Sequence, residues 1–282
     1  MFKHFSFIMP CTQPLNWLIS LSFFRLHQII GVEKISEHTY QRIFQIGKAI
    51  GFFSDTYKQP NLTVEVLTSN ATVLPLIKQR VRKMFDLDMD QSISKQFSYH
   101  PLLSDMCAKY PALRIPGGFE VFETAINTIL SQLISSTAAR KILAKLVAKH
   151  GKKIINPISK EVWYLFPKPE VLFSADLAEL GITKIKTAAI KELSRRVIGS
   201  EINLENQDIQ KLKTDLLKVP GIGPWTVEYI ALRCFEKNAF PLSDLILARY
   251  LKEYPDLKQF TLWRSYLAIY LWQHYLSSKQ KI

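Results

Sequence analysis

The chain has 282 residues, of which 48% are hydrophobic, so it is long enough for a sizeable core and for two domains. Lysine and arginine outnumber aspartate and glutamate by 37 to 24, and the net charge of +13 favours a polyanionic partner such as nucleic acid, although a generically basic protein has the same balance. The three cysteines lie far apart, which argues against a disulfide framework, a zinc site and the four-cysteine run of an iron–sulfur cluster.

The N-terminal apolar segment is not typical of a signal peptide, because Pro10, Pro14 and Asn16 interrupt it and no small-residue cleavage site follows. No apolar run reaches the roughly 18 residues that a membrane span requires. We therefore expect a cytoplasmic protein with no membrane partner.

The first part of the chain has the pattern of an α+β domain. Residues 15–30 have the apolar spacing of a helix, and residues 70–87 have that of a basic amphipathic helix. Between them lie segments with strand-like alternation, at residues 39–47, 50–57 and 62–67. These elements predict a small antiparallel sheet with two helices, in a domain of residues 1–90.

Beyond residue 90 the strand patterns fade, and short helices separated by proline and glycine follow. A long apolar-periodic helix is predicted at residues 119–135, and a basic amphipathic helix at 137–150. The apolar face of the first helix contains Phe122, Ile126, Ile129 and Leu133. We predict an all-α second domain that spans residues 91–282.

A tight turn, Val219-Pro220-Gly221-Ile222-Gly223, lies between two helical patterns, and the second helix is predicted to begin at Pro224. Gly221 and Gly223 permit unusual backbone angles and leave no side chain between the backbone N–H groups and a ligand. The start of the next helix adds unpaired N–H groups and a positive dipole end. Together these features predict a phosphate site, although an ordinary glycine-rich turn between helices has the same residues.

A short loop at residues 236–243 leads from this hairpin to Asp244, at the start of another predicted helix. An aspartate at such a position is commonly only a helix cap. Its spacing from the preceding hairpin favours a second interpretation, that of a catalytic carboxylate.

At this point the chain resembles a known family. The sequence V-P-G-I-G-P-W-T at residues 219–226, followed by F-P-L-S-D-L-I-L at 240–247, resembles the motif of the helix-hairpin-helix DNA glycosylase superfamily, which ends in a catalytic aspartate. Three further segments are similar to its alkylbase branch, the 3-methyladenine DNA glycosylase II family of the AlkA type. They are P-A-L-R-I-P-G-G-F-E-V-F-E at 111–123, I-L-S-Q-L-I-S at 129–135 and W-R-S-Y at 263–266. The chain departs from the branch before W-R-S-Y, where Phe260-Thr261-Leu262 replaces W-x-P in a shortened segment.

The resemblance implies a role for each of several residues. Asp244 would be the catalytic carboxylate. The base pocket would be lined by Phe23, Trp225, Tyr229 and Trp272, for each of which aromatic core packing is the alternative. The DNA-binding residues would be the wedge Leu133, its neighbour Gln132, and Gly221 and Gly223 of the turn. The backbone carbonyls that would bind a monovalent cation belong to Leu217, Val219 and Ile222.

The resemblance also implies the reaction. Glycosylases that cut the strand have a lysine nucleophile just after the hairpin turn, and Trp225 occupies that position here. A monofunctional glycosylase is therefore expected. It would act as a monomer in the nucleoid, on double-stranded DNA that contains damaged bases. No cofactor or iron–sulfur cluster is expected. The alternative, from another functional class, is a non-catalytic helix-hairpin-helix DNA-binding protein.

Overall fold

The computed structural model describes residues 2–12, 14–204 and 208–279. The strands in these ranges are β1 (Lys3–Pro10), β2 (Glu33–Ile35), β3 (Thr39–Ile46), β4 (Ala49–Lys58), β5 (Asn61–Thr68), β6 (Lys152–Ile155) and β7 (Val162–Leu165). The α-helices are α1 (Trp17–Leu26), α2 (Leu74–Met84), α3 (Ser92–Phe97), α4 (Pro101–Lys109), α5 (Val121–Ser131), α6 (Ser136–His150), α7 (Pro169–Ser174), α8 (Lys184–Ile198), α9 (Ile209–Leu217), α10 (Pro224–Arg233), α11 (Leu245–Glu253) and α12 (Arg264–Lys279). Among these helices none has both the length and the apolar character needed to cross a membrane.

The N-terminal part is an antiparallel sheet in the order β1-β5-β4-β3-β2. Along β5, Leu62, Val64 and Val66 are fully buried and share a hydrophobic core with residues of α1 and α2. Buried and partly exposed residues alternate along β5 because successive side chains point to opposite faces of a sheet. The predicted fold class, an α+β part followed by a helical part, is confirmed. The sequence patterns did not predict β1 and β2, which lie at the two edges of the sheet.

The other face of the sheet packs against the helical part of the chain. Phe52 of β4 contacts Trp163 with ring centroids 5.8 Å apart, and the Tyr164 N–H donates to the Gly31 carbonyl at 2.8 Å. Trp163 and Tyr164 both belong to the β6–β7 hairpin. The sequence patterns did not predict this hairpin within the helical part. The division of the chain near residue 90 stays a prediction.

The helix predicted at residues 119–135 is shorter than expected. It ends at Ser131, and α6 begins five residues later at Ser136. The Ser135 hydroxyl accepts a hydrogen bond from the Ala138 N–H at 3.2 Å and so caps α6. Leu133 between the two helices has φ +58°, in the left-handed region. The expectation that Leu133 shares a buried helical face is therefore wrong.

Asp55 is a buried carboxyl group in the core of the sheet. It lies opposite Tyr40 of β3 and Val64 of β5, and neither of its carboxylate oxygens has a hydrogen-bond partner among the described residues. Burial raises the pKa of Asp55 well above its ordinary value. Because the pKa is higher in the folded state, that state binds the proton more tightly. Stability should therefore fall as the pH rises above about 4.

We expect Asp55→Asn to raise the free energy of unfolding by about 2 kcal/mol at pH 7, because the amide cannot ionise in the core. The gain should shrink towards pH 4, because there the carboxyl group of the unfolded chain also takes up a proton and its ionisation no longer favours unfolding. Urea unfolding of both proteins at pH 4, 5.5 and 7 measures this. Asp105→Asn, at an exposed position on α4, is the matched control. An equal effect of the two substitutions, or a gain that does not change with pH, would contradict the assignment.

Candidate active site

The predicted hairpin is present, with α9 and α10 on either side of the turn at residues 218–223. Gly221 has φ +87°, and a Cβ at this position would lie 3.1 Å from the Ala189 Cβ of α8. Both its backbone conformation and this close approach require glycine. A Cβ on Gly223, by contrast, would meet no atom within 4 Å, so this residue leaves open space beside the first turn of α10. That turn begins at Pro224, as predicted, and presents backbone N–H groups without intrahelical partners.

The three carbonyls predicted to hold a cation lie along this turn. The Val219 carbonyl accepts a hydrogen bond from the Ile222 N–H at 3.0 Å, which leaves it one further lone pair. The side chains of Val219 and Ile222 are buried, whereas that of Leu217 is half exposed. The backbone path of the turn is thus fixed by packing, and the cation site stays a prediction.

Asp244 is the N-cap of α11. Its Oδ1 atom accepts hydrogen bonds from the backbone N–H groups of Ile246 at 3.0 Å and Leu247 at 3.1 Å. The loop that leads to it is tied to α10, since the Phe240 N–H donates to Glu228 Oε2 at 3.0 Å. The capping role is therefore real, and it holds the carboxylate in a fixed place.

The capping role does not use the whole carboxylate. The Trp272 indole N–H donates to Asp244 Oδ1 at 3.1 Å, and the Trp225 indole N–H donates to Oδ2 at 3.2 Å. Four N–H groups from α10, α11 and α12 thus converge on one side chain. Asp244 is nevertheless partly exposed, and Oδ2 has one hydrogen bond where Oδ1 has three. The carboxylate is therefore held in place by four donors, and Oδ2 keeps more of its capacity to accept hydrogen bonds than Oδ1 does.

Three of the four predicted pocket aromatics lie together beside this carboxylate. The rings of Trp225 and Tyr229 are stacked, with centroids 5.1 Å apart and planes at 12°. The Trp272 ring lies 5.9 Å from Tyr229 and is tilted by 54°. All three are only partly buried, unlike the aromatic residues of the core. We refer to the partly exposed surface formed by these three rings and the carboxylate as the cleft.

Phe23, the fourth predicted pocket residue, is separated from the other three by an arginine. The Arg233 guanidinium lies 3.8 Å from the centroid of the Phe23 ring and 5.3 Å from that of Tyr229. Arg233 is buried and also donates to the Pro116 carbonyl, and burial lowers its pKa. The Phe23 ring also contacts His27, whose ring centroid lies 4.4 Å away. Burial, together with the Arg233 charge, lowers the pKa of His27 to about 3, so this imidazole is neutral at physiological pH.

The predicted wedge lies in the turn between α5 and α6. Leu133 has a relative exposure of 104%, so its whole side chain projects into solvent. The side-chain amide of Gln132 donates to the Gly221 carbonyl at 3.1 Å and to Thr226 Oγ1 at 2.8 Å. The wedge segment and the hairpin turn, 89 residues apart in sequence, are therefore in direct contact.

Some residues of the site have no clear signal in the sequence. Arg233 follows Tyr229 by four positions, which places both on one face of α10, and this spacing is the only pattern that could have indicated it. Thr226 and Lys186 hold the wedge segment through contacts that span 94 and 54 residues, and no local pattern predicts such contacts.

The chain is similar to known proteins over most of its length. The family model for the AlkA N-terminal domain matches residues 6–120. DNA-3-methyladenine glycosylase 2 of Escherichia coli is 26% identical over 276 residues, which cover 92% of this chain and 94% of that protein. A protein of Mycobacterium tuberculosis named as a probable bifunctional transcriptional activator/DNA repair enzyme AlkA is 28% identical over 255 residues, or 86% of this chain. The chain spans about half the length of that relative (51%).

Among solved structures, the 3-methyladenine DNA-glycosylase from Archaeoglobus fulgidus has the same fold. It superposes with a TM-score of 0.81 over 95% of this chain and 98% of its own, at 20% sequence identity. The likeness therefore extends over both the sheet and the helical part.

Proposed function

We propose that this chain, which is similar to the alkylbase branch of the helix-hairpin-helix DNA glycosylase superfamily, is a monofunctional DNA glycosylase that removes alkylated bases of the 3-methyladenine class. It hydrolyses the N-glycosidic bond of a base that has been flipped out of duplex DNA, as the first step of base excision repair. The observation that carries the proposal is the carboxylate of Asp244, which two indoles and two backbone N–H groups hold at the edge of an aromatic cleft.

Asp244 stabilises the charge that develops on the sugar. As the bond to the base breaks, the deoxyribose acquires oxocarbenium character, and a fixed carboxylate near C1′ lowers the energy of that state. Oδ2, which accepts a single hydrogen bond, is the atom that faces the sugar, whereas Oδ1 is committed to the cap and to Trp272. The rigid environment favours this role, since little reorganisation accompanies the reaction.

The aromatic faces of Trp225, Tyr229 and Trp272 receive the extruded base. A base alkylated at N3 or N7 carries positive charge, which is attracted by ring faces and leaves without a strong general acid. Phe23 would contribute less to stacking than the sequence implied, because one face of its ring is already covered by Arg233. We place Phe23 at the rear of the pocket and not on its open side.

Duplex DNA is held by the hairpin and opened by the wedge. Gly221 and Gly223 allow a phosphate to approach the N-terminus of α10, where the backbone N–H groups bind it. Leu133 inserts into the space that the flipped nucleotide leaves, with Gln132 beside it. A monovalent cation bound by the carbonyls of Leu217, Val219 and Ile222 would strengthen the phosphate contact.

A gel assay with a duplex that carries one 3-methyladenine analogue tests this proposal. Release of the base without strand cleavage should leave a strand that stays whole until it is heated in alkali. Because Trp225 offers no amine, borohydride should trap no covalent protein–DNA complex. A strand that stays whole with and without alkali would favour the non-catalytic DNA-binding protein. Cleavage without alkali, together with trapping, would indicate a glycosylase-lyase.

A further inference from the structure

The segment that carries Leu133 is held in an unfavourable conformation. We call residues 132–134 the wedge turn. At its centre, a leucine side chain is fully exposed to water on a left-handed backbone, which L-residues other than glycine rarely adopt. Neither feature lowers the energy of the turn itself. The surrounding structure must therefore hold it in place.

Lys186 of α8 provides one of these attachments. Its ammonium group donates hydrogen bonds to the carbonyls of Leu130 at 2.8 Å and Gln132 at 2.7 Å. These carbonyls lie at the C-terminal end of α5, where the last carbonyls of a helix lack partners and the dipole is negative. Within the described residues Lys186 forms no salt bridge. Its ammonium group is therefore held by its hydrogen bonds to these two carbonyls. Partial desolvation of its ammonium group lowers the pKa of Lys186.

The second attachment comes from the hairpin. The Gln132 amide donates to Gly221 and Thr226, and Gly221 in turn packs against α8 at Ala189. Thr226 directly follows Trp225, which donates to Asp244. The wedge turn, the hairpin and the carboxylate are thus parts of one continuous assembly that includes α8.

We propose that Lys186 is a positioning residue that holds the wedge turn ready for insertion into DNA; this inference rests on the proposed glycosylase function. It contacts neither the base nor the sugar. Lys186 fixes the carbonyls on both sides of Ser131 and so orders the turn before DNA binds. The entropy lost in ordering the turn is then not subtracted from the binding free energy of the flipped complex. The benefit is largest when a paired base must leave the stack, because the wedge must then replace its contacts.

Lys186→Met tests the proposal with two duplexes that carry the same lesion. In one the lesion faces its normal partner base, and in the other it faces an abasic-site analogue, which makes extrusion easier. We expect single-turnover base release to slow about tenfold on the paired duplex, equivalent to about 1.4 kcal/mol, and less than about threefold on the unpaired one. Lys184→Met, at an exposed position on the same helix, removes an equal charge and should leave both rates near those of the wild type.

A double-mutant cycle with Leu133→Ala separates wedge positioning from a general loss of stability. Because Lys186 acts through the wedge, combining the two substitutions should slow release no more than Leu133→Ala alone does. Lys186→Arg keeps N–H donors and should restore most of the rate. Thermal unfolding identifies any variant that does not fold; if Lys186→Met is one of them, Lys186→Ala takes its place in the duplex comparison and in the cycle with Leu133→Ala.

Three results would overturn the inference. They are multiplicative effects in the cycle, equal slowing on both duplexes, and equal behaviour of the Lys184 and Lys186 methionine variants. Absence of base release by the wild-type protein is a different result, because it would contradict the proposed function itself.

Discussion

Asp244→Asn should slow base release at least about a hundredfold while the protein still binds abasic-site DNA. The substitution removes the negative charge that faces the sugar but leaves a side-chain oxygen. Asparagine is as good an N-cap as aspartate, so the backbone N–H groups of Ile246 and Leu247 keep their acceptor. Asp244→Asn therefore tests how the negative charge affects the rate of base release without removing the N-cap of α11.

Asp208→Asn is a matched control, because Asp208 caps α9 in the same way by accepting from the Gln210 N–H at 2.7 Å. It should leave the rate near that of the wild type. Asparagine at position 244 has only one acceptor oxygen, so one of the two indole donors loses its partner. Tryptophan fluorescence shows whether the cleft has rearranged. If the Asp244 variant releases bases at the wild-type rate, the carboxylate serves only as a helix cap.

The second large effect concerns stability. Arg42→Met should lower the free energy of unfolding by about 3–5 kcal/mol, because it leaves two buried carboxylates without a counter-charge. Arg42 of β3 donates to Glu33 Oε1 at 2.9 Å and also pairs with Glu123 in the first turn of α5. The same guanidinium lies 4.6 Å from the centroid of the Phe119 ring. This cluster connects the sheet to the helix whose other end leads to the wedge turn.

The loss should depend on pH. Burial raises the pKa of Glu123, and the Arg42 charge opposes that rise. A raised pKa in the folded state means that stability falls as the pH increases above the unfolded value of about 4.3. Without Arg42 the pKa of Glu123 would rise further, so the deficit of the variant should be larger at pH 8 than at pH 5.

Urea unfolding at these two pH values measures the deficit. Arg195→Met is the control, since Arg195 forms comparable ion pairs with Glu192 and Glu201 on the surface and should be replaced with little loss of stability. Similar unfolding midpoints for the Arg42 and Arg195 variants would contradict the role assigned to the buried cluster.

The sequence predicted those parts of the structure whose signals are local. The hairpin has both its glycines and Pro224 within six residues, and Asp244 precedes an apolar helical pattern in the usual position of a cap. The strands β3 to β5 follow each other with strong alternation, so their antiparallel pairing was also predictable. In each case the residues that carry the signal lie close together in the sequence.

Features that depend on distant parts of the chain were not predictable in this way. Strand β1 pairs with β5 across more than fifty residues, with Phe5 opposite Val66, and its apolar residues carry no information about that partner. Leu133 has the helical spacing of a core residue, but the cap at Ser135 starts a new helix and turns Leu133 outward. The attachment of the wedge turn by Lys186 depends on a contact between helices that no spacing rule describes.

The most direct test of this account is the amount of free base released in a single turnover from duplex DNA that contains 3-methyladenine, measured by chromatography for the wild-type protein and for Asp244→Asn. We expect stoichiometric release by the wild-type protein and release at least about a hundredfold slower by the variant, although both bind the duplex equally well. If the wild-type protein binds the DNA but releases no base, the cleft beside Asp244 is not a glycosylase active site.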